Sequence, residues 1–201
     1  MRFYELDFDM ERIDKAIECG TNTIFAETSN LDEIEFEGEK KGFFHLIIYH
    51  QRTIENWPDV RFYYDSRGSA LESEYLLNVE RWPIIHRRVM EAFQQQGIEG
   101  IEYYPIKLID IVTQNVNTNY VVMYITNFID GYDMEKSEYD YDEKYDHYIF
   151  LPIATYMNHS VCEKYDIFRC TKSTVRIYVS ERIKKIVEEN QWIGFEFDEM
   201  K

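Results

Sequence analysis

The chain has 201 residues, 45% hydrophobic and 16% aromatic, which is enough apolar material for a sizeable core and excludes a disordered polymer. Its 38 acidic and 22 basic residues leave a formal net charge of −16, which opposes nucleic-acid phosphates and anionic lipid and favours a basic partner. Acids in Met1–Asp7 stand where a secretory leader needs a basic start, and no stretch has the apolar length of a membrane span, so a cytoplasmic protein is expected.

In chain order, Arg2–Phe8 alternates as a half-buried strand does. Met10, Ile13, Ala16 and Ile17 then fall three or four apart, predicting a short helix over Met10–Glu18 that ends before Gly20. Thr23–Ala26 reads as extended. The apolar run Phe43–Tyr49 suits a strand covered on both faces. Arg61–Tyr64 is a further strand candidate, and the polar stretch Asp65–Ser69 is too short to prove a linker. Tyr120–Ile125 is a strong strand candidate, with shorter ones at Tyr148–Ile153 and Ile167–Cys170.

His86–Tyr103 resembles Ser180–Phe197 without gaps, Gly100 falling on Gly194 at a shift of 194 − 100 = 94 positions. Arg88 and Arg182, and Glu102 and Glu196, are also identical pairs, and the apolar positions coincide: Val89 with Ile183, Phe93 with Val187, Ile101 with Phe195. Each copy predicts a strand end, a helix of about ten residues, a turn and an alternating strand. Ser180 suits a helix N-cap in the second copy. Shared burial constraints on helix and strand are the alternative to a duplication. The mixture predicts a single α+β domain over residues 1–201, with a mixed or antiparallel sheet and a few packed helices.

Signals for chemistry are sparse. Walker, dinucleotide-binding, nucleophile-elbow and zinc-protease patterns are absent. Cys19, Cys162 and Cys170 lack Cys-x-x-Cys spacing, so reduced thiols are expected, and no metal or cofactor is predicted. His159 and Cys162 lie close in sequence, but a catalytic pair needs contact and a third, orienting group. Glu35 and Glu37 alternate with Ile34 and Phe36 as the wet face of an exposed strand would. The segment Glu135–Asp146 interleaves tyrosine with acid and contains no aliphatic residue. Tyrosine gives contact area at low entropic cost and carboxylates pair with Lys and Arg, so an exposed loop presenting Glu138, Tyr139, Asp140, Tyr141, Asp142, Glu143, Tyr145 and Asp146 to a basic protein is expected. A solvated acidic loop without a partner is the plain alternative.

Several blocks taken in order carry a resemblance: Glu74–Leu77, Arg81–Ile85, Gly97–Ile106, Tyr120–Asn127, Ile129–Ser137, Ile167–Arg169, Val179–Arg182 and Gly194–Phe197. Over about Ser69–Asp198 the chain resembles the bacterial immunity-protein family numbered eleven, the MXAN-type immunity domain. Ile85-His86 stands where that family usually has Val-Ser, so the expected N-cap serine of the first helix is missing. The resemblance implies an immunity protein of a polymorphic toxin system that binds and neutralises a cognate toxin, and it carries over no catalytic residue. A hydrolase-type enzyme acting on a small molecule and a nucleic-acid-mimicking inhibitor are the rival readings.

Overall fold

A computed structural model describes residues 2–11, 22–23, 26, 28–36, 38, 44–71, 73–151 and 154–201. The predicted helix Met10–Glu18 lies outside these residues beyond Glu11, as do Cys19, Glu37 and the middle of Thr23–Ala26.

The strands, in chain order, are β1 (Phe3–Phe8), β2 (Asn22–Thr23), β3 (Thr28–Ser29), β4 (Arg61–Tyr64), β5 (Ser69–Leu71), β6 (Tyr75–Leu76), β7 (Ile84–His86), β8 (Ile101–Pro105) and β9 (Lys107–Asp110). They continue with β10 (Val116–Asn117), β11 (Tyr120–Ile125), β12 (Phe128–Ile129), β13 (Tyr139–Asp142), β14 (His147–Phe150), β15 (Ile167–Cys170), β16 (Ser173–Ser180) and β17 (Phe195–Glu199). Helices α1 (Arg87–Gln95), α2 (His159–Cys162) and α3 (Glu181–Glu189) join them. The fold is α+β. Its strands form a five-stranded sheet β12-β15-β16-β1-β17, four-stranded sheets β10-β9-β4-β3 and β6-β7-β11-β8, and two strand pairs.

The sequence repeat is a structural repeat. In the first copy β7, α1 and β8 form a crossover, and β11 lies between the two strands, antiparallel to both. In the second, β16, α3 and β17 do the same around β1. The registers coincide at the same shift: Val121 is flanked by Ile85 and Pro105, and Tyr4 by Val179 and Glu199. Loop hydrogen bonds repeat as well. Thr126 N donates to Gly100 O (2.9 Å) and Asp9 N to Gly194 O (3.1 Å), while Arg87 N donates to Asn119 O (2.7 Å) and Glu181 N to Arg2 O (3.1 Å). Arg88 pairs with Glu74, and Arg182 with Asp166.

Both helices present an apolar stripe to one shared core. Val89 and Phe93 of α1, and Ile183, Ile186 and Val187 of α3, pack with Tyr4, Leu6 and Phe8 of β1 and Val121, Met123 and Ile125 of β11. Each such side chain removed from water contributes about 1.5–3 kcal/mol. The opposite face of β11, and Phe3 on that of β1, are buried separately. Tyr120, Val122 and Tyr124 join a core built on Trp82, Phe62 and Leu108, and Phe3 joins one built on Tyr132, Phe168 and Tyr178. Alternate residues of one strand therefore serve different cores, which is why β11 is buried at every position.

The helix starts differ from expectation. His86 replaces the missing serine and caps α1 itself, its Nδ1 accepting from Arg88 N at 3.2 Å. Ser180 occupies the N-cap position of α3, but its Oγ donates to Asp166 Oδ1 at 2.6 Å and makes no cap bond. Phe44–Tyr49 is a six-residue 3-10 helix and not the expected strand. Its buried residues are Phe44, Ile47 and Ile48, three and four apart, so it covers one side of the Trp82 core while His45 O accepts from Trp82 Nε1 at 2.9 Å. Ile34 and Phe36 are buried and Glu35 exposed, as alternation predicts, but they follow a short 3-10 helix, Leu31–Glu33, instead of lying within a strand.

A candidate interaction hairpin

The tyrosine and acid segment is not an irregular loop. Tyr139–Asp142 and His147–Phe150 pair antiparallel as a β-hairpin, and the second strand supplies the partner that the acidic segment alone did not reveal. Tyr139 faces Phe150 and Tyr141 faces Tyr148, while Asp140 faces Ile149 and Asp142 faces His147. Residues directly opposite share a face, so one side of the hairpin is aromatic and the other carries Asp140, Asp142, His147 and Ile149.

The aromatic side ties the hairpin to the core. Tyr178 and Tyr132 join hydroxyls at 2.8 Å, Tyr132 lies 4.0 Å from Phe150, and Tyr148 lies 4.7 Å from Tyr141, all distances between ring centroids except the first. Exposure rises along this ladder, from buried Phe150 to 38% at Tyr139, 46% at Tyr141 and 67% at Tyr145. The turn is closed by local bonds: Lys144 N donates to Asp142 Oδ1 (2.9 Å), and Tyr141 Oη donates to Asp146 Oδ1 (2.8 Å). That second bond raises the Tyr141 pKa, because the carboxylate favours the protonated phenol. Asp146 has φ +48°, a region that Asp tolerates better than most residues.

All eight expected contact residues, Glu138, Tyr139, Asp140, Tyr141, Asp142, Glu143, Tyr145 and Asp146, are exposed on this one element. Sequence reasoning misses Ile149, 51% exposed on the acidic face, and Leu151, 43% exposed just beyond it. The signal for Ile149 is the strand candidate Tyr148–Ile153, which takes it in but does not announce its pairing with the acidic segment.

The cysteine and histidine pair does not assemble. Cys162 is fully buried and its Sγ donates to Gly131 O at 3.4 Å, whereas His159 is exposed and packs its ring 5.7 Å from Phe3. Burial raises the Cys162 thiol to about 12, far from a thiolate at neutral pH. Cys170, also buried, is raised by the same loss of solvation. Among the described residues no three His, Cys, Asp or Glu side chains are grouped to hold a metal, and no helix is long and apolar enough to cross a membrane.

Compared with known families, the chain matches the immunity protein family Imm11 over residues 2–201, nearly its whole length. The chain belongs to the Imm11 immunity protein family. The Imm11 match takes in the first sixty or so residues, beyond the Ser69–Asp198 region where the blocks are clearest. That extent has a structural counterpart, because β1 is the central strand of the second repeat. No curated protein matches the chain.

Proposed function

We propose that this Imm11 protein binds a cognate toxin in the producing cell's cytoplasm, blocks the toxin's active or substrate-binding region without catalysis, and uses the β13–β14 hairpin as part of the contact. The observation that carries the reading is the hairpin itself, an ordered and exposed element whose tyrosines and carboxylates lie on opposite faces. A basic toxin surface is the complement of the acidic face and of the chain's net charge of −16. Co-expression with the toxin encoded beside this gene is expected to rescue growth and to give a stoichiometric complex on purification. Absence of both binding and protection for every adjacent toxin candidate refutes the reading.

The two faces have separable roles. Screened rim charges act on encounter, and desolvated aromatic anchors act on dissociation. Replacing Asp140, Asp142 and Asp146 with Asn and Glu143 with Gln is expected to slow association about tenfold at low salt and far less at high salt. Tyr141→Ala or Tyr139→Ala is expected to raise dissociation about tenfold with little change in association. Stopped-flow or surface-binding kinetics read both, with circular dichroism to check folding. Unchanged rates in both sets remove the hairpin from the interface.

A further inference from the structure

A second feature, independent of the hairpin, lies where β15, β16 and β1 meet the Asn78–Trp82 turn. Strand β15 reads Ile-Phe-Arg-Cys and is buried throughout, so Arg169 is a charged residue in an otherwise apolar strand, with no exposed surface. Its Nη1 donates to Thr174 O and Val175 O, both at 2.6 Å. Its Nε and Nη2 are buried and have no hydrogen-bond partner among the described residues. These two nitrogens form the side-on edge of the guanidinium, the fork that fits the two oxygens of a carboxylate.

Arg169 lines a cavity of about 210 Å³ together with Tyr49, Tyr75, Arg81 and Arg176 and the carboxylates Glu5 and Asp7. Two of its three arginines are already neutralised: Arg176 pairs with Glu5 at 3.0 Å and Arg81 with Asp7 at 3.5 Å. Arg169 faces phenols, its guanidinium 5.3 Å above the Tyr49 ring. Burial lowers its pKa to about 10, so it stays cationic at neutral pH. The rim is held by its own bonds. Asn78 fixes the turn, donating to Leu76 O and Trp82 O and accepting from Trp82 N, and Arg81 within it takes φ +54°. Backbone strain of that kind persists only where the surroundings enforce it, and it clusters at ligand sites.

A buried guanidinium with no carboxylate paired to it among the described residues is costly, and the cavity beside it is bounded by an aromatic stack, Phe8 on Tyr75 at 4.4 Å. We propose that this cavity is a binding site for the carboxylate of a small organic acid, received side-on by Arg169 and closed over by Arg81. The flat aromatic lining suits a planar acid with an apolar body better than a tetrahedral oxyanion.

Benzoate titrated into the full-length protein at constant ionic strength tests this, with acetate and inorganic phosphate in parallel. Benzoate is expected to bind saturably, raise the melting temperature and shift the Arg169 Nε–H resonance of the wild-type protein. Arg81→Gln, at the exposed rim, is expected to weaken binding several-fold with folding intact, and Arg169→Lys, which keeps the charge but loses the fork, by about tenfold or more. The resonance shift serves where Arg169→Lys fails to fold. Absence of saturable binding, tighter binding of phosphate than of benzoate, or benzoate affinity unchanged in Arg81→Gln together with a stationary Arg169 resonance overturns the proposal. None of these readouts depends on a toxin.

Discussion

Gly194→Ala is expected to cost about 3 kcal/mol or more of stability, the sum of a disfavoured backbone and a steric clash. Gly194 sits at φ +98°, and a Cβ there would lie 2.3 Å from both Tyr75 O and Ser73 Oγ. The side-chain atom can move, but the carbonyl belongs to β6, which is paired to β7 through Tyr75 and Ile85. The neighbouring backbone is pinned from the other side too, with Glu74 N and Tyr75 N both donating to Ile193 O. Gly97 supplies the comparison. It has φ +68° and nothing within 4 Å of the place a Cβ would occupy, so Gly97→Ala should cost only the backbone part, about 1 kcal/mol. Urea unfolding of both variants separates the two contributions, and equal losses would show that the Tyr75 contact carries no weight.

Trp82→Ala is expected to cost about 3–5 kcal/mol, in the range of large aromatic truncations in a packed core. Trp82 is fully buried, with Phe44 and Phe62 each 5.8 Å and Trp57 6.0 Å from its ring. Truncation opens a void among those rings and leaves His45 O without its donor, so the lost packing and the orphaned carbonyl act together. The 3-10 helix Phe44–Tyr49 and the Arg81 turn both rest on this side chain, so both should loosen, which red-shifted Trp57 fluorescence would report. Trp82→Phe keeps most of the apolar contact and should lose clearly less. A loss under about 1 kcal/mol for the alanine variant, measured by denaturant unfolding, would show that the Trp82 core is not a principal support of the fold.

Much of the fold is legible because burial writes periodicity into sequence. The match of His86–Tyr103 to Ser180–Phe197 locates both helices and both following strands, since each must present the same stripe to one core. The two central strands are legible as strands, but their insertion into the crossovers is not. β11 and β1 come from different places relative to their copies, and pairing between distant segments leaves no local mark. Phe43–Tyr49 misleads because a short apolar run does not distinguish a period of two from a period near three. Its buried set, Phe44, Ile47 and Ile48, shows which applies. The hairpin's exposure follows from composition, but its two-faced order requires the partner strand. Arg169 is visible in sequence only as a charge within Ile167–Cys170, and its significance depends on groups brought in from β1 and the Asn78–Trp82 turn.

The insertion of β1 between β16 and β17 has a consequence for biogenesis. As the ribosome extends the chain, β1 emerges long before either of the strands that flank it. The first repeat meets no such delay, because β7, α1, β8 and β11 emerge close together and can pair while translation continues. Until β16, α3 and β17 arrive, Tyr4, Leu6 and Phe8 lack the flanking strands and the helix that complete their burial. The second sheet therefore closes late in synthesis, and an exposed apolar strand must be kept from aggregating throughout the interval.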